Sequence, residues 1–271
     1  MIDLLHIDAA TTAEWPDLVD ELDQWGIDGR VATLWWRDDD AVTATPQLDT
    51  LLHLAGDVPV ALAVIPAPSR PELADALSAT PGALLLQHGW QHKNQARHGK
   101  KSEYPEGRPA ALVAAEIGAG RARLKALFGP RALPVLVPPW NRIAREFLPL
   151  LATNGLAGLS TMVSPSGAAV PPGLTVPGLT IIPGLKMIDV HVDLVAWRGN
   201  RGFIGEGAAL GSLIGHLRTS RGCDPGAAQP IGILTHHLIM DRANVAFLDR
   251  LFALTRDHAA CRWAAADELL S

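Results

Sequence analysis

The sequence predicts an α/β barrel formed by a single domain, and three observations carry this prediction. Short apolar segments of strand length alternate with helical patterns along the chain, as in proteins built on a parallel sheet. The strand segments are continuously apolar, which is typical of strands covered on both faces. About seven such units fit into 271 residues, so a closed barrel accounts for the length better than an open sheet.

The strands are predicted where apolar or alternating residues run for strand length between turn-forming residues. They cover residues 31–36, 59–65, 83–87, 133–137, 156–160, 187–195 and 231–235. Most of these segments are continuous apolar runs, whereas 187–195 alternates like a strand that is buried on one face only.

The helices are predicted from apolar residues that recur at helical spacing. They cover residues 46–55, 71–79, 109–128, 143–153, 206–220 and 243–256. Helix 46–55 has the clearest start, because Thr45 can cap it and Pro46 suits the first helical position.

Two long loops are predicted where the alternation is interrupted. Segment 93–109 is polar, and segment 164–186 holds many Pro and Gly residues. Loops of this length in compact domains are often functional lids or disordered. His98, Glu103 and Tyr104 lie on the first of these segments, for which we expect a solvated loop.

The composition is that of a globular protein in a reducing compartment. Hydrophobic residues make up 48% and charged residues 19%, which excludes a disordered or fibrous chain. The net charge of −5 disfavours nucleic acid and anionic membranes as partners. Two cysteines, Cys223 and Cys261, cannot build a disulfide framework. Residues 1–15 contain no Lys or Arg, and no apolar run approaches a membrane span, so we expect a cytoplasmic location.

The residues that can carry chemistry follow the predicted strands directly. The segments are Arg37-Asp38-Asp39-Asp40, His88-Gly-Trp-Gln-His92, Pro138-Pro139-Trp140-Asn141 and Thr235-His236-His237. Asp189, His191, Asp193 and Trp197 lie on or near the alternating strand. In parallel barrels the active site lies at the carboxyl ends of the strands, where the loops converge. We therefore predict a site at this face.

His88 and His92 are candidate metal ligands. Their spacing puts both imidazoles on one face if the segment is a helical turn, and neutral imidazoles suit a divalent transition metal such as zinc. Such a pair also occurs by chance, but a carboxylate from 38–40 would complete a set that leaves positions open for water and substrate. Three adjacent carboxylates repel one another unless a cation or hydrogen bonds offset them; a solvated acidic turn is the alternative.

Aromatic side chains complete the candidate site. Adjacent residues of an extended segment point to opposite faces, so only one of His236 and His237 is expected to reach the barrel mouth. A histidine there that is not a ligand can protonate a leaving group, whereas an isolated histidine is more often a core residue. Trp140 is either a buried anchor for the next helix or a wall for a sugar ring or another flat apolar group.

In chain order, these Asp-Asp, His-x-x-x-His, Pro-Pro-aromatic and Leu-x-His motifs resemble the polysaccharide deacetylase superfamily (NodB homology, carbohydrate esterase family 4). The similar segments run from about residue 31 to about residue 240. The resemblance implies a distorted (β/α)7-type barrel and a divalent metal, usually zinc, bound by one Asp and two His. Gly89 stands where the family has a hydroxyl residue and Val137 where it has an arginine, so the resemblance is to a divergent branch.

The resemblance also implies a role for each matched residue. The implied metal ligands are Asp40, His88 and His92, the base is Asp39, the general acid is His236, and the substrate-binding residues are Trp140, Pro139, His237 and Asn141. Asp38 and Asp39 form the competing pair for base and ligand. The missing family arginine pairs with the base, so Arg37 or Arg142 is expected to replace it.

We therefore expect a zinc-dependent hydrolase that removes an N-acyl group, in the first instance N-acetyl, from a carbohydrate or a sugar-containing intermediate. Two alternatives stay open. The same barrel and ligands would serve a metal-dependent amidase acting on a small amide or cyclic imide. A carbohydrate-binding relative without activity would explain the altered motifs.

Overall fold

A parallel β-sheet forms the centre of the computed structural model, which describes residues 12–163 and 184–271. Its strands are β1 (Ala32–Ala41), β2 (Ala61–Val64), β3 (Leu84–His88), β4 (Ala132–Val137), β5 (Gly158–Leu159), β6 (Lys186–Met187), β7 (Val190–Asp193), β8 (Ile231–Thr235) and β9 (Cys261–Trp263). The order across the sheet is β6-β5-β4-β3-β2-β1-β8-β7, and β9 pairs with β1 outside this path. All of these strand pairs are parallel.

The sheet curls on itself, and the segment after β5 closes it. The Val190 N–H donates to the Thr161 carbonyl at 2.8 Å, and the Val163 N–H donates to the Val190 carbonyl at 2.8 Å. Because Val190 begins β7, these bonds join the β5 side of the sheet to its opposite end. The predicted distorted (β/α)7 barrel is therefore confirmed. Most of the predicted loop 164–186 lies outside the described residues.

Helices pack around the outside of the barrel. They are α1 (Trp15–Ile27), α2 (Pro46–Ala55), α3 (Pro71–Ala76), α4 (Ala110–Phe128), α5 (Pro149–Thr153), α6 (Glu206–Arg221) and α7 (Arg242–Thr255). The start of α2 is the predicted one, because the Thr45 hydroxyl accepts a hydrogen bond from the Leu48 N–H at 3.1 Å. None of the helices in the described parts of the chain has both the length and the apolarity needed to cross a bilayer.

The barrel interior is a packed apolar core. Its buried side chains are Trp35, Ala61, Ala63, Leu86, Val135, Val137, Ile188, Val190, Leu234 and Ala266. Trp35, the bulkiest of them, lies over Gly232 on β8, where a Cβ would come within 2.5 Å of the indole Nε1 and 2.7 Å of the Val190 Cα. Glycine at this position therefore makes room for the tryptophan that fills the barrel.

A second apolar layer lies between the sheet and the helices. On β1 the inward Trp35 alternates with Leu34 and Trp36, which belong to this outer cluster together with α1, α2, α6 and α7 side chains. Because the strands are apolar toward both layers, their sequences read as continuous apolar runs.

The structure differs from the predicted elements at several places. Helix α1 and the short strand β9 were not predicted, although Leu18, Leu22 and Trp25 of α1 are buried at helical spacing. The predicted strand 187–195 is divided into β6 and β7, although its buried positions still alternate across the break. The Ile188 N–H donates to the Leu159 carbonyl at 3.0 Å, whereas β7 pairs with β8. The predicted helix 143–153 is reduced to a 3-10 turn and α5.

Candidate metal centre and active site

The three consecutive aspartates belong to the last residues of β1 and point in three directions. The prediction had placed them after the strand, but hydrogen bonds and ion pairs to neighbouring elements keep this charged segment in the sheet. The register with β2 shifts between Asp38 and Ala41, and Asp40 has a left-handed backbone with φ 75°. This local irregularity re-aims Asp40 away from the direction that strand alternation would give it.

Asp40, His88 and His92 converge at the mouth of the barrel. Their candidate ligand atoms all lie within 4.8 Å of one another. The Asp40 Oδ1 is 3.3 Å from the His88 Nε2 and 3.4 Å from the His92 Nε2. The two imidazoles do not lie on a helical turn. A non-helical turn, with left-handed Gly89 (φ 61°) and His92 (φ 57°), brings them together instead.

The chemistry of this donor set fits a divalent transition metal. The Asp40 Oδ1 is buried and makes no hydrogen bond of good geometry with the described residues, which is costly unless a cation satisfies it. The His88 Nδ1 lies 2.9 Å from the Val137 carbonyl, so its proton is held there and the Nε2 lone pair faces the site. Burial raises the pKa of Asp40, but the close approach of His88 and the positive charge that the neighbouring imidazoles carry when they are protonated hold this pKa well below its usual value.

Asp39 is paired with a buried arginine from its own strand. The Arg37 Nε lies 2.9 Å from the Asp39 Oδ1, and its Nη2 donates to the Oδ2 at 3.1 Å. Arg37 also donates to the Ser160 hydroxyl at 2.7 Å and to the Asn141 side-chain oxygen at 2.8 Å. Of the two arginines proposed to replace the family arginine, the structure brings Arg37 to Asp39, whereas Arg142 donates to the Lys101 carbonyl at 3.0 Å.

Asp38 and His237 form a separate buried pair behind the site. The Asp38 carboxylate accepts from the Thr235 hydroxyl at 2.7 Å, from the His237 N–H at 2.9 Å and from the His237 ring. Burial lowers the pKa of His237, but the charge of Asp38 raises it above its usual value. The His237 side chain is only 1% exposed, so it offers no free face to a substrate, in contrast to the predicted contact.

His236 faces the mouth of the barrel. On β8, Leu234 belongs to the interior cluster, and His236 follows it on the same face by strand alternation. The ring packs edge-on against Trp197 at 4.8 Å, and its charge contributes to the low pKa of Asp40. Asp193 accepts from the Trp197 indole at 2.6 Å and so fixes this aromatic neighbour.

The segment Pro138–Asn141 supplies the opposite wall. Trp140 and Asn141 both have left-handed backbones, with φ 56° and 55°, and the Trp140 ring lies 4.5 Å from the His92 ring. Asn141 holds Arg37 and Pro139 is buried, so Trp140 is the member of the predicted substrate-binding group on this segment with the freest side chain.

Ser160 at the site was not predicted, because no local sequence pattern indicates it. Asp193 and Trp197 were named near the alternating strand, but their pairing was not predicted. His191 lies outside the mouth, where its ring packs at 5.0 Å against His216 of α6. Segment 93–109 is a long loop without helix or strand, but it is not simply solvated: His98 is exposed, whereas Glu103 is 2% and Tyr104 0% exposed.

No protein-family model matches this sequence, and no curated protein matches it. Solved structures do. A candidate polysaccharide deacetylase from Mycobacterium smegmatis is similar with a TM-score of 0.64 at 16% identity, over 96% of this chain and 92% of that one. The peptidoglycan N-acetylglucosamine deacetylase Bc1960, solved with 4-naphthalen-1-yl-N-oxidanyl-benzamide, gives a TM-score of 0.53 at 14% identity over 91% and 95%.

A third similar structure is a pseudoenzyme. BA3943 from Bacillus anthracis, of the CE4 family, gives a TM-score of 0.52 at 12% identity over 89% of this chain and 66% of that one. At identities this low, the structural similarity establishes the fold alone. The fold that the motif resemblance implies is thus confirmed: this chain has the barrel fold of these polysaccharide deacetylase and CE4 family structures.

Proposed function

We propose that this protein is a metal-dependent hydrolase that removes an N-acyl group, in the first instance N-acetyl, from a carbohydrate or a sugar-containing intermediate. One observation carries the proposal. An Asp/His/His donor set, a carboxylate paired with a buried arginine and a histidine beside a tryptophan meet at the mouth of a deacetylase-type barrel. Each group has the chemistry that one step of amide hydrolysis needs.

Asp40, His88 and His92 would hold the metal. When bound, a divalent ion would polarise the acyl carbonyl and lower the pKa of water toward about 7. Zinc suits a set of two imidazoles and one carboxylate, although cobalt, nickel, manganese and iron bind such sets as well.

Asp39 is the general base in this proposal. Its carboxylate accepts the proton of the attacking water, and Arg37 holds it in place from the same strand. Ser160 and Asn141 fix the guanidinium in turn. The buried arginine also offsets the negative charge of Asp39, whose neighbours along the strand, Asp38 and Asp40, are carboxylates as well.

His236 is the general acid. An amine leaves poorly unless it is protonated, and a protonated imidazole at the mouth can donate to it. The edge-on contact with Trp197 fixes the plane of the ring, while Asp193 holds the indole. His237 does not share this role, because Asp38 holds its ring below the site.

The substrate is proposed to be an acylated sugar. Trp140 lies beside His92 and Trp197 lies beside His236, so aromatic faces flank the site on two sides, and such faces suit sugar rings. Bc1960, which has the same fold, is a peptidoglycan N-acetylglucosamine deacetylase by name. A cytoplasmic location and the lack of a nucleic-acid partner stay predictions of the sequence.

The test is acetate release by the full-length protein after loading with zinc or cobalt. Substrates are N-acetylglucosamine, its β-linked oligomers and a small aromatic acetamide without a sugar. We expect release from a sugar substrate, and at least about 10²-fold slower release by Asp39→Asn with its metal content unchanged. Asp49→Asn, an exposed change on α2, is the matched control.

Other outcomes favour the alternatives. Release from the small acetamide alone would favour the amidase hypothesis. A metal-loaded protein that binds sugar but releases no acetate would favour a binding protein without activity. The pseudoenzyme BA3943 shows that this fold can occur without enzymatic activity. If Asp39→Asn kept full activity, the assignment of Asp39 as the general base would be wrong.

A further inference from the structure

A buried carboxylate lies inside the loop that carries the two candidate metal histidines. Residues 88–92 form this ligand loop. The Glu103 Oε2 accepts from the Trp90 N–H at 3.0 Å, and the Oε1 accepts from the Gln91 N–H at 2.8 Å. Both oxygens are thus used by backbone groups that lie between His88 and His92, and Glu103 is only 2% exposed.

The Glu103 carboxylate fills the space that a side chain at position 89 would need. Gly89 has a left-handed backbone, and a Cβ at this position would lie 2.0 Å from the Glu103 Oε2 and 2.6 Å from the Pro139 Cδ. Any side chain at position 89 would therefore displace the carboxylate. The absence of a side chain at Gly89 is the condition that lets Glu103 reach the backbone of the ligand loop.

Glu103 is itself anchored on both sides. The Ser102 hydroxyl donates to the Arg142 carbonyl at 3.2 Å, and the Tyr104 carbonyl accepts from the Ala144 N–H at 2.8 Å. Arg108 donates to the Glu103 carbonyl at 2.9 Å. The strap, residues 102–104, thus ties the ligand loop to the segment that follows Trp140.

We propose that Glu103 is a positioning residue for the metal site. Through the backbone of the ligand loop, Glu103 holds His92 in its metal-binding orientation. The left-handed backbone of His92 (φ 57°) is unfavourable for a residue with a Cβ. The two charge-assisted hydrogen bonds that Glu103 accepts from the Trp90 and Gln91 N–H groups maintain this backbone conformation. This inference rests on the proposed function, in which Asp40, His88 and His92 bind a divalent ion.

Glu103→Gln tests this role with little change in shape. A glutamine can accept through its oxygen only, so one of the two backbone N–H groups would face an amide N–H₂ group. Glu106→Gln, on the same loop but exposed, is the matched control. Full-length protein is stripped with a chelator and titrated with Co²⁺, following visible absorption, which reports the geometry of the bound ion.

We expect Glu103→Gln to bind Co²⁺ at least about tenfold more weakly than wild type, with an altered absorption spectrum, and Glu106→Gln to match wild type in both. Equal affinity and an equal spectrum for wild type and Glu103→Gln would overturn the role of Glu103 while leaving the metal site in place. Failure of wild type itself to bind Co²⁺ would overturn the proposed function, and this inference with it.

A second measurement needs no variant, should Glu103→Gln fold poorly. Hydrogen exchange in the wild-type protein reports the two backbone N–H groups directly. We expect the Trp90 and Gln91 amides to exchange at least about 10²-fold more slowly than unprotected amides, although they lie in a loop without helix or strand. Exchange at the unprotected rate would contradict the contact on which the inference depends.

Discussion

Arg37 is the residue on which the proposed base depends. A fully buried guanidinium is costly to desolvate, and the cost is offset only where its N–H groups find acceptors. Asp39, Ser160 and Asn141 provide these acceptors. Because Arg37 and Asp39 are two residues apart on β1, strand alternation puts both on the inner face. One strand thus supplies both the carboxylate and the group that orients it.

Arg37→Lys should lower the kcat for acetate release by about 10- to 100-fold while the metal content stays unchanged. Lysine keeps the charge but lacks the planar fork that holds a carboxylate by two contacts, and small misplacements of a catalytic group cost rates of this size. Steady-state kinetics with metal analysis measure both effects. Arg142→Lys is the control and should retain kcat; a similar loss in both variants would contradict the assignment.

The donor set and His236 could be predicted from motifs, because each motif places a chemically distinctive residue at the end of a strand. The partners of those residues could not. Ser160 reaches Arg37 from across the barrel, and Glu103 reaches the ligand loop from a segment whose polar composition indicates solvent exposure. Such contacts depend on how distant segments pack, so they have no periodicity or spacing to be recognised by.

At the scale of elements, β7 and α6 are joined by a partly buried pair of histidines, His191 and His216. The His191 Nδ1 accepts from the Gly232 N–H at 3.0 Å, which requires the neutral ring, and His216 packs against it from α6. Burial, and next the charge of His216, lower the pKa of His191 to about 3. Burial also lowers the pKa of His216.

His191→Asn should make the fold less sensitive to acid. The unfolded chain protonates His191 below pH about 6.5, whereas the folded protein keeps it neutral until about pH 3, so stability is lost as the pH falls through this window. At pH 5 the loss from this residue is about 2 kcal/mol relative to neutral pH. The asparagine oxygen can still accept from Gly232, but it does not titrate.

Urea unfolding at pH 7 and pH 5 measures this difference. Between pH 7 and pH 5, the free energy of unfolding of wild type should fall by about 2 kcal/mol more than that of His191→Asn. The exposed His53→Asn change on α2 is the control and should follow wild type. If all three proteins lose the same stability, the neutral histidine pair is not a source of acid sensitivity.

At the scale of the molecule, the barrel is held by one packed interior and by two apolar clusters outside it. Strand and helix alternation predicts this architecture, because apolar runs and caps are local signals. The closure of the barrel is not local: it depends on hydrogen bonds between Val190 and the segment after β5. The amphipathic α1 had a helical pattern that could have been recognised, whereas the three residues of β9 are too few to carry one.

Gly232→Ala should destabilise the whole fold by about 1–3 kcal/mol, because the added methyl group would push against Trp35 and the backbone of β7 in a filled interior. The free energy of unfolding in urea measures the effect. Gly226→Ala is the control, since a Cβ there meets no atom within 4 Å. Equal stability of the two variants would show that the interior is not packed as described.

The central claim is that Asp40, His88 and His92 form a metal site, and elemental analysis of the purified protein tests it most directly. Wild type, His88→Ala and His98→Ala are compared after incubation with zinc or cobalt; His98 is an exposed histidine on loop 93–109. We predict about one transition metal per chain in wild type and His98→Ala, and none in His88→Ala. Absence of metal from all three proteins, or equal metal in His88→Ala, would contradict the account.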